Sequence, residues 1–109
     1  MTIDKKFFDQ FINVTSKAAL ESSYQVGKND KIAADKAAVD SMRNELKKIN
    51  MNGRIVIGEG ELDQAPMLFI GEKLGTGNGP DLDIAVDPLE GTNFVANNLP
   101  GALSVIAVA

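Results

Sequence analysis

Acidic side chains cluster immediately after two apolar stretches of the sequence. Glu59, Glu61 and Asp63 occupy alternate positions after the first stretch. Asp87 and Glu90 follow the second stretch. Carboxylates this close together raise one another's pKa unless a cation lies among them. A polar turn at the end of a strand would explain either cluster alone. Because ligands of open α/β sheets bind outside the carboxyl ends of strands, the two clusters together predict a metal site.

The sequence contains neither histidine nor cysteine among its 109 residues. A Ser-His-Asp or Cys-His catalytic arrangement therefore cannot be built from this chain alone. Zinc and copper sites are disfavoured as well, since they rely on imidazole or thiolate ligands. Carboxylate, hydroxyl and carbonyl oxygens suit Mg²⁺ or Mn²⁺, and we expect one of these ions as the cofactor.

The second acidic cluster has the residue types that phosphate chemistry requires. Pro88 restricts the backbone next to Asp87. Gly91 has no side chain, so backbone amides there can approach an anion closely. A helical turn beginning near Thr92 would direct further free amides at a phosphate, and the Thr92 hydroxyl could orient an attacking water. Together with the carboxylates, this arrangement predicts hydrolysis of a phosphate ester.

Two helices are predicted ahead of the first acidic cluster. The first covers about residues 4–26, with Thr2 or Asp4 as its cap and Gly27 as a left-handed stop. The second follows residues 28–30. The apolar face predicted for the first helix consists of Phe8, Phe11, Ile12, Ala18 and Ala19. The apolar stripe of the second consists of Ala34, Ala38, Met42, Leu46 and Ile49.

Strands alternate with loops in the remainder of the chain. Residues 54–57, 82–86 and 102–109 are predicted strands, whereas residues 75–80 read as a loop. Residues 66–74 fit either a strand or a short helix. The fold class predicted is a layered α/β sandwich of helices and a mixed sheet. Because the last seven residues end inside an apolar strand, we expect the chain to be incomplete.

Charge and hydropathy exclude several classes of partner. The net charge is −4, without the basic stripe that nucleic acid binding needs. No apolar run approaches the roughly 20 residues that cross a bilayer, and the first residues do not form a secretory signal. We therefore expect a cytoplasmic protein that binds neither nucleic acid nor membrane. Lys31 and Asp35, four positions apart, would by themselves predict a surface ion pair.

Residues 87–92 (Asp-Pro-Leu-Glu-Gly-Thr) resemble the Asp-Pro-x-Asp-Gly-Thr/Ser signature of the lithium-sensitive phosphatase superfamily. Glutamate in place of the second aspartate resembles the class II fructose-1,6-bisphosphatase branch. So do Gly-Glu-Gly-Glu at 58–61, Ala-Pro-Met-Leu at 65–68, and Asp-Lys at 30–31 followed by Ala-Asp at 34–35. The resemblance covers the whole chain, but only the amino-terminal portion of a family member. It implies that residues 1–109 are the N-terminal part of a sugar-bisphosphatase domain.

The resemblance also implies a metal site built from several segments of the chain. Asp35, Glu59, Asp87 and Glu90 would be the ligands of more than one Mg²⁺ or Mn²⁺ ion, and Asp87 would be catalytic. Further ligands and substrate contacts would lie beyond Ala109.

Substrate contacts and water activation follow from the same resemblance. Glu90, Gly91 and Thr92 would hold the phosphate, and Asp63 would pair with Thr92 to activate water. Lys31 is a candidate for phosphate binding or charge balance.

The function expected is metal-dependent hydrolysis of the 1-phosphate of fructose 1,6-bisphosphate, giving fructose 6-phosphate and phosphate for gluconeogenesis. The partner is then a small sugar bisphosphate, and the full-length protein would be a homo-oligomer. Sedoheptulose-1,7-bisphosphatase and inositol monophosphatase activities remain as alternatives. A truncated, non-catalytic module that binds metal or anions is the alternative from a different class.

Overall fold

The computed structural model describes residues 3–59 and 68–109, which form helices packed against a four-stranded sheet. In chain order the elements are α1 (Lys6–Ser23), α2 (Lys31–Lys47), β1 (Asn52–Ile57), β2 (Lys73–Leu74), β3 (Asp81–Glu90), α3 (Thr92–Ala96) and β4 (Leu103–Val108). The α/β class predicted from the sequence is confirmed.

The sheet is mixed, with the strand order β2-β1-β3-β4. β1 and β3 run parallel, whereas β2 pairs antiparallel with β1, and β4 pairs antiparallel with β3. Ile57 at the end of β1 lies opposite Ala85 of β3. Because the two central strands are parallel, the residues that follow each of them emerge at the same edge of the sheet.

The apolar stripe predicted for the second helix forms the middle of the core. Its five members are all buried, none of them more than 4% exposed. Asp30 caps α2, since its Oδ1 accepts a hydrogen bond of 3.0 Å from the amide of Ala33. The start of α2 is therefore fixed both by packing and by its cap.

The predicted inner face of α1 is partly wrong. The helix buries Phe7, Phe11, Val14, Ala18 and Ser22, whereas Phe8 and Ile12 are more than half exposed and Ala19 is exposed. The true face is rotated toward Phe7, because α1 must pack against both α2 and β4 rather than against one surface. Phe8 and Ile12 instead line an apolar groove beside β4.

Both predicted signals at the ends of α1 can be located. Asp4 Oδ1 accepts a 3.0 Å hydrogen bond from the amide of Lys6, but the N-cap residue of α1 is Lys5, without a side-chain capping bond, so the cap predicted at Asp4 lies one residue too early. Thr2 lies outside the described residues. The helix ends at Ser23, earlier than predicted, and Gly27 follows with a φ of +75°. None of the described helices is long and apolar enough to cross a membrane.

The strand boundaries correct one expectation about the second acidic cluster. We predicted a strand ending at Val86 and a turn after it, but β3 continues through Glu90 with Pro88 fully buried. The pairing of β3 with β4 shifts register between Asp87 and Glu90, which leaves room for the proline. In the ambiguous segment 66–74, only Lys73 and Leu74 form a strand among the described residues.

Candidate metal centre

The candidate site lies where the carboxyl ends of β1 and β3 meet the start of α2. Asp35 is in the second turn of α2 and is half-buried. The loop before α2 is held in place by α3, because the amides of Gly27 and Asn29 donate to the carbonyls of Val95 and Ala96 at 2.9 and 2.8 Å. These bonds bring the start of α2 beside the end of β3.

Glu59 and Asp87 occupy equivalent places on the two parallel strands. Each lies two residues beyond the matched pair of Ile57 and Ala85, and each is half-buried. The backbone of Glu59 is fixed by its amide, which donates a 2.8 Å hydrogen bond to the carbonyl of Leu68. The two carboxylates therefore lie at the same edge of the sheet, on backbone that is held by hydrogen bonds.

The electrostatics of Asp35, Glu59 and Asp87 indicate that the three side chains form one group. Burial, followed by the negative charges of Asp35 and Asp87, raises the pKa of the Glu59 carboxyl. Burial, followed by the charge of Asp87, raises the pKa of the Asp35 carboxyl. A cation among the three would relieve both the repulsion and the cost of burial. The charges of these three acids, which come from different segments, therefore act on one another, and their role as metal ligands stays a prediction.

The group is a loose one in the geometry described. Across residues 3–59 and 68–109, no three acidic side chains approach closely enough to form a finished coordination shell. The donors nevertheless fit Mn²⁺ or Mg²⁺ chemically, since they are hard carboxylate oxygens without nitrogen or sulfur. Burial and then the neighbouring negative charges raise the pKa values of Asp35 and Glu59, and a cation among these side chains would offset both effects.

Glu90 stands apart from this group. It ends β3 with an exposed side chain, and its charge is not among the causes that raise the pKa of Asp35 or Glu59. The structure therefore does not bring Glu90 together with the other three predicted ligands.

The backbone after β3 has the geometry expected of an anion-binding turn. Gly91 adopts left-handed angles, with φ of +86° and ψ of +44°, and it is the N-cap of α3. A Cβ at this position would lie only 2.8 Å from Cδ2 of Phe94. The helical turn that phosphate binding would require at Thr92 is present as α3. Amides in the first turn of a helix lack partners within the helix and can donate to a ligand.

Thr92 is the first residue of α3 and is half-buried. Because Gly91 is the N-cap, Thr92 does not cap the helix, and its hydroxyl is not needed for that purpose.

Two other predicted positions complete the description. Lys31 is exposed at the first position of α2, and no ion pair joins it to Asp35, so the surface pair suggested by their spacing is wrong. Asp63, the predicted partner of Thr92, lies outside the described residues, as does Glu61.

Sequence reasoning missed one partly buried ion pair, which involves the same helix as Asp35. Arg43 Nε donates a 2.7 Å hydrogen bond to Oε2 of Glu72, whose side chain is only 6% exposed. The partners are 29 positions apart, with Arg43 on α2 and Glu72 immediately before β2. No local pattern in the sequence links them.

Comparison with known proteins shows which family this chain is similar to. The family model described as "Bacterial fructose-1,6-bisphosphatase, glpX-encoded" matches residues 5–109. A D-fructose 1,6-bisphosphatase class 2/sedoheptulose 1,7-bisphosphatase from Prochlorococcus marinus (strain MIT 9303) is 50% identical over 107 residues. A protein of the same name from Synechococcus sp. (strain RCC307) is also 50% identical over 107 residues. Each match covers 98% of this chain but 32% of the relative, so the chain spans about a third of their length.

Proposed function

The chain belongs to the family of bacterial, glpX-encoded fructose-1,6-bisphosphatases, and from that premise we propose that the protein hydrolyses the 1-phosphate of a ketose bisphosphate with Mn²⁺ or Mg²⁺. Fructose 1,6-bisphosphate is the first substrate proposed. The observation that carries the proposal is the grouping of Asp35, Glu59 and Asp87 at one sheet edge, where burial, followed by the negative charges of the group, raises the pKa values of Asp35 and Glu59.

The three grouped carboxylates are the proposed ligands, and Glu90 is proposed as an additional ligand whose side chain must turn toward them. A divalent ion held there would neutralise phosphate charge and lower the pKa of a nearby water. Asp35 comes from α2, Asp87 from within β3 and Glu59 from the second position after β1, so the core holds all three backbones in place. Rigid placement of this kind stabilises developing charge without reorganisation during the reaction.

The turn after β3 is the proposed phosphate site. Free amides at Gly91 and in the first turn of α3 would donate to phosphate oxygens, with Lys31 supplying positive charge nearby. Thr92 would orient the attacking water and pass its proton to Asp63. The water oxygen bonds to phosphorus while the bond from phosphorus to the C1 oxygen breaks. The C1 oxygen takes up a proton, and the products are the sugar monophosphate and inorganic phosphate.

Sedoheptulose 1,7-bisphosphate is a second candidate substrate. The relatives from Prochlorococcus and Synechococcus carry both activities in their names. The two substrates share the phosphorylated C1 end of a ketose, so the contacts described here would serve both. Inositol 1-phosphate lacks that end and serves as the comparison substrate.

The decisive experiment compares Asp87→Asn with Asp83→Asn in the complete protein. Both changes replace an aspartate of β3 by its isostere, but Asp83 lies at the other end of the strand in an exposed pair with Arg54. Asp87→Asn should lower kcat for phosphate release from fructose 1,6-bisphosphate at least about 100-fold, or roughly 2.7 kcal/mol of transition-state stabilisation. Asp83→Asn should leave kcat nearly unchanged.

Three outcomes would count against the proposal. Comparable activity in the two variants would remove Asp87 from the reaction. Equal turnover of inositol 1-phosphate and the ketose bisphosphates would contradict the substrate class. Binding of Mn²⁺ without any phosphate release would favour a module that only binds metal.

A further inference from the structure

Residues 68–72, here called the return segment, hold the backbone that presents Glu59. The Glu59 amide donates to the Leu68 carbonyl at 2.8 Å, and the Gly71 amide donates to the Ile55 carbonyl at 2.8 Å. The Ile55 amide in turn donates to the Glu72 carbonyl at 2.9 Å. The return segment therefore continues, beyond β2, the antiparallel pairing along β1, and it reaches Glu59 itself.

Close packing between Gly58 and the return segment fixes the distance between them. A Cβ on Gly58 would lie 2.2 Å from the Leu68 carbonyl oxygen and 2.6 Å from Cγ2 of Ile55. Leu68 is fully buried and has a φ of +50°, which an L residue adopts only when its surroundings enforce it. The carbonyl that accepts the Glu59 amide is thus placed by packing that tolerates glycine alone at position 58.

The buried ion pair of Arg43 and Glu72 joins the return segment to α2. The side chain of Glu72 is 6% exposed and that of Arg43 is 32% exposed. Glu72 Oε1 is buried without a hydrogen bond to any described residue. Burying a carboxylate here costs free energy of solvation. Replacing such an ion pair with apolar side chains of similar size commonly leaves a protein as stable as before or more stable. Buried ion pairs that do not maximise stability can instead fix the register of the elements they join.

Arg43 and Asp35 lie eight residues apart on α2, about 12 Å along one rigid helix. The ion pair therefore connects the helix that carries Asp35 to the segment that holds Glu59. A shift of the return segment along α2 would move Glu59 relative to Asp35. The pair has no direct contact with either carboxylate in the hydrogen bonds of the described residues.

We propose that Arg43 and Glu72 are positioning residues: their ion pair sets the placement of Glu59 relative to Asp35, and thereby the affinity of the site for its divalent ion. This inference rests on the proposed function, in which both carboxylates are ligands. Groups that orient ligands from outside the first coordination shell commonly contribute about 10- to 100-fold to metal affinity.

The test is a titration of the complete protein with Mn²⁺, following free Mn²⁺ by electron paramagnetic resonance, without substrate. The main variant is Arg43→Met with Glu72→Leu, which removes both charges together and keeps the side-chain volume. It should unfold at the same temperature as the parent or higher, yet bind Mn²⁺ at least about 10-fold more weakly. A stable double variant with the affinity of the parent would overturn the proposal.

The matched control is Lys36→Met with Asp40→Leu. This pair is also on α2 and also joins a cation to a carboxylate, with a distance of 2.6 Å between Lys36 Nζ and Asp40 Oδ2, but its side chains are 64% and 48% exposed. Its removal should not change the Mn²⁺ affinity. An equal loss of affinity in the control would show that any change of charge on α2 acts on the site, and the proposal would fail.

A third variant separates this proposal from the proposed function. Glu59→Gln should itself weaken Mn²⁺ binding, and adding the Arg43 and Glu72 replacements to it should cause little further loss, because they act through Glu59. Full affinity in Glu59→Gln would refute the ligand role of Glu59. Independent, multiplying losses would instead refute the positioning role while leaving the ligand role intact.

Amide hydrogen exchange and Arg43→Lys cover the case in which the double variant does not fold. Lysine keeps the charge but cannot reproduce the donor geometry of Arg43 Nε. Arg43→Lys should bind Mn²⁺ several-fold more weakly, and the amides of Glu59 and Gly71 should exchange faster than in the parent. Unchanged affinity together with unchanged exchange would overturn the proposal.

Discussion

Replacing Gly91 with alanine tests whether the turn after β3 depends on glycine at that position. A non-glycine residue in the left-handed region costs about 1–2 kcal/mol from backbone sterics alone. A Cβ at Gly91 would also meet Cδ2 of Phe94 at 2.8 Å and Cα of Ala102 at 3.3 Å. Phe94 is 42% exposed, so its ring can rotate away, whereas Ala102 belongs to the backbone leading into β4. Overpacking of this kind adds about 1 kcal/mol at the low end of its usual range.

Gly77→Ala is the matched control for this variant. Gly77 has the same φ of +86°, but a Cβ there would meet no described atom within 4 Å. Gly77→Ala should therefore lose only the backbone cost of about 1–2 kcal/mol. Gly91→Ala should lose about 2–3 kcal/mol, the sum of the backbone and packing costs.

The assay is urea unfolding of the complete protein, combined with phosphate release from fructose 1,6-bisphosphate. Gly91→Ala should lower turnover at least about tenfold, a loss of roughly 1.4 kcal/mol in transition-state stabilisation. Gly77→Ala should keep normal turnover. Equal losses of stability in the two variants would refute the packing argument. Normal turnover in Gly91→Ala would remove this turn from the phosphate site.

Three further predictions concern the same site. Mn²⁺ at about 100 times its Kd should raise the free energy of unfolding by roughly 2.7 kcal/mol, whereas zinc should have no special effect. Denaturation curves with each ion check this. No response to Mn²⁺ would contradict the metal site. In EDTA, Asp35→Asn and Glu59→Gln should each raise stability near neutral pH. A carboxyl whose pKa is raised in the folded state contributes stability below its unfolded pKa, and this stability is lost as the pH rises through the folded pKa. The free energy of unfolding, measured across the acidic range, should therefore decline less steeply with rising pH in both variants than in the parent. An unchanged slope would argue against the grouping. Thr92→Ser should keep most activity, whereas Thr92→Val should lower kcat roughly 100-fold. The stability of Thr92→Val should change little, because Gly91 rather than Thr92 caps α3. A near-normal kcat in Thr92→Val, measured by phosphate release, would remove the hydroxyl from water orientation.

The sequence predicted the parts of the site that depend on residue type and local pattern. The absence of histidine and cysteine restricts the donors to oxygen. The period of the apolar residues on α2 places Ala34 and Ala38 in the core, and this fixes the side of the helix on which Asp35 lies. Gly91 and Thr92 are compatible with a helical turn, which the sequence offered only as a condition for phosphate binding, and α3 does begin at Thr92. Each of these inferences needs only neighbours within a few positions.

The extent of β3 and the inner face of α1 could not be predicted from neighbours within a few positions of the sequence. Pro88 suggested the end of a strand, but pairing with β4 carries β3 through to Glu90 by a shift in register. Phe7 and Phe8 are equivalent by hydropathy, and only contact with α2 and β4 decides that Phe7 is buried. In both cases a distant surface competes with the local preference and prevails, because it removes more apolar area from water.

The convergence of the carboxylates depends on both the sequence and the tertiary structure. The sequence by itself showed which acids come after each apolar stretch, and therefore which side chains are candidates to meet. The parallel register of β1 and β3 decided that Glu59 and Asp87 end at the same height, and the packing of α2 brought Asp35 to them. The ion pair of Arg43 and Glu72 was decided by tertiary structure alone, because its partners are 29 positions apart. Contacts over such separations form only when the whole core is assembled. The free energy that stabilises them comes from apolar surface buried between several elements, and no single segment can supply it.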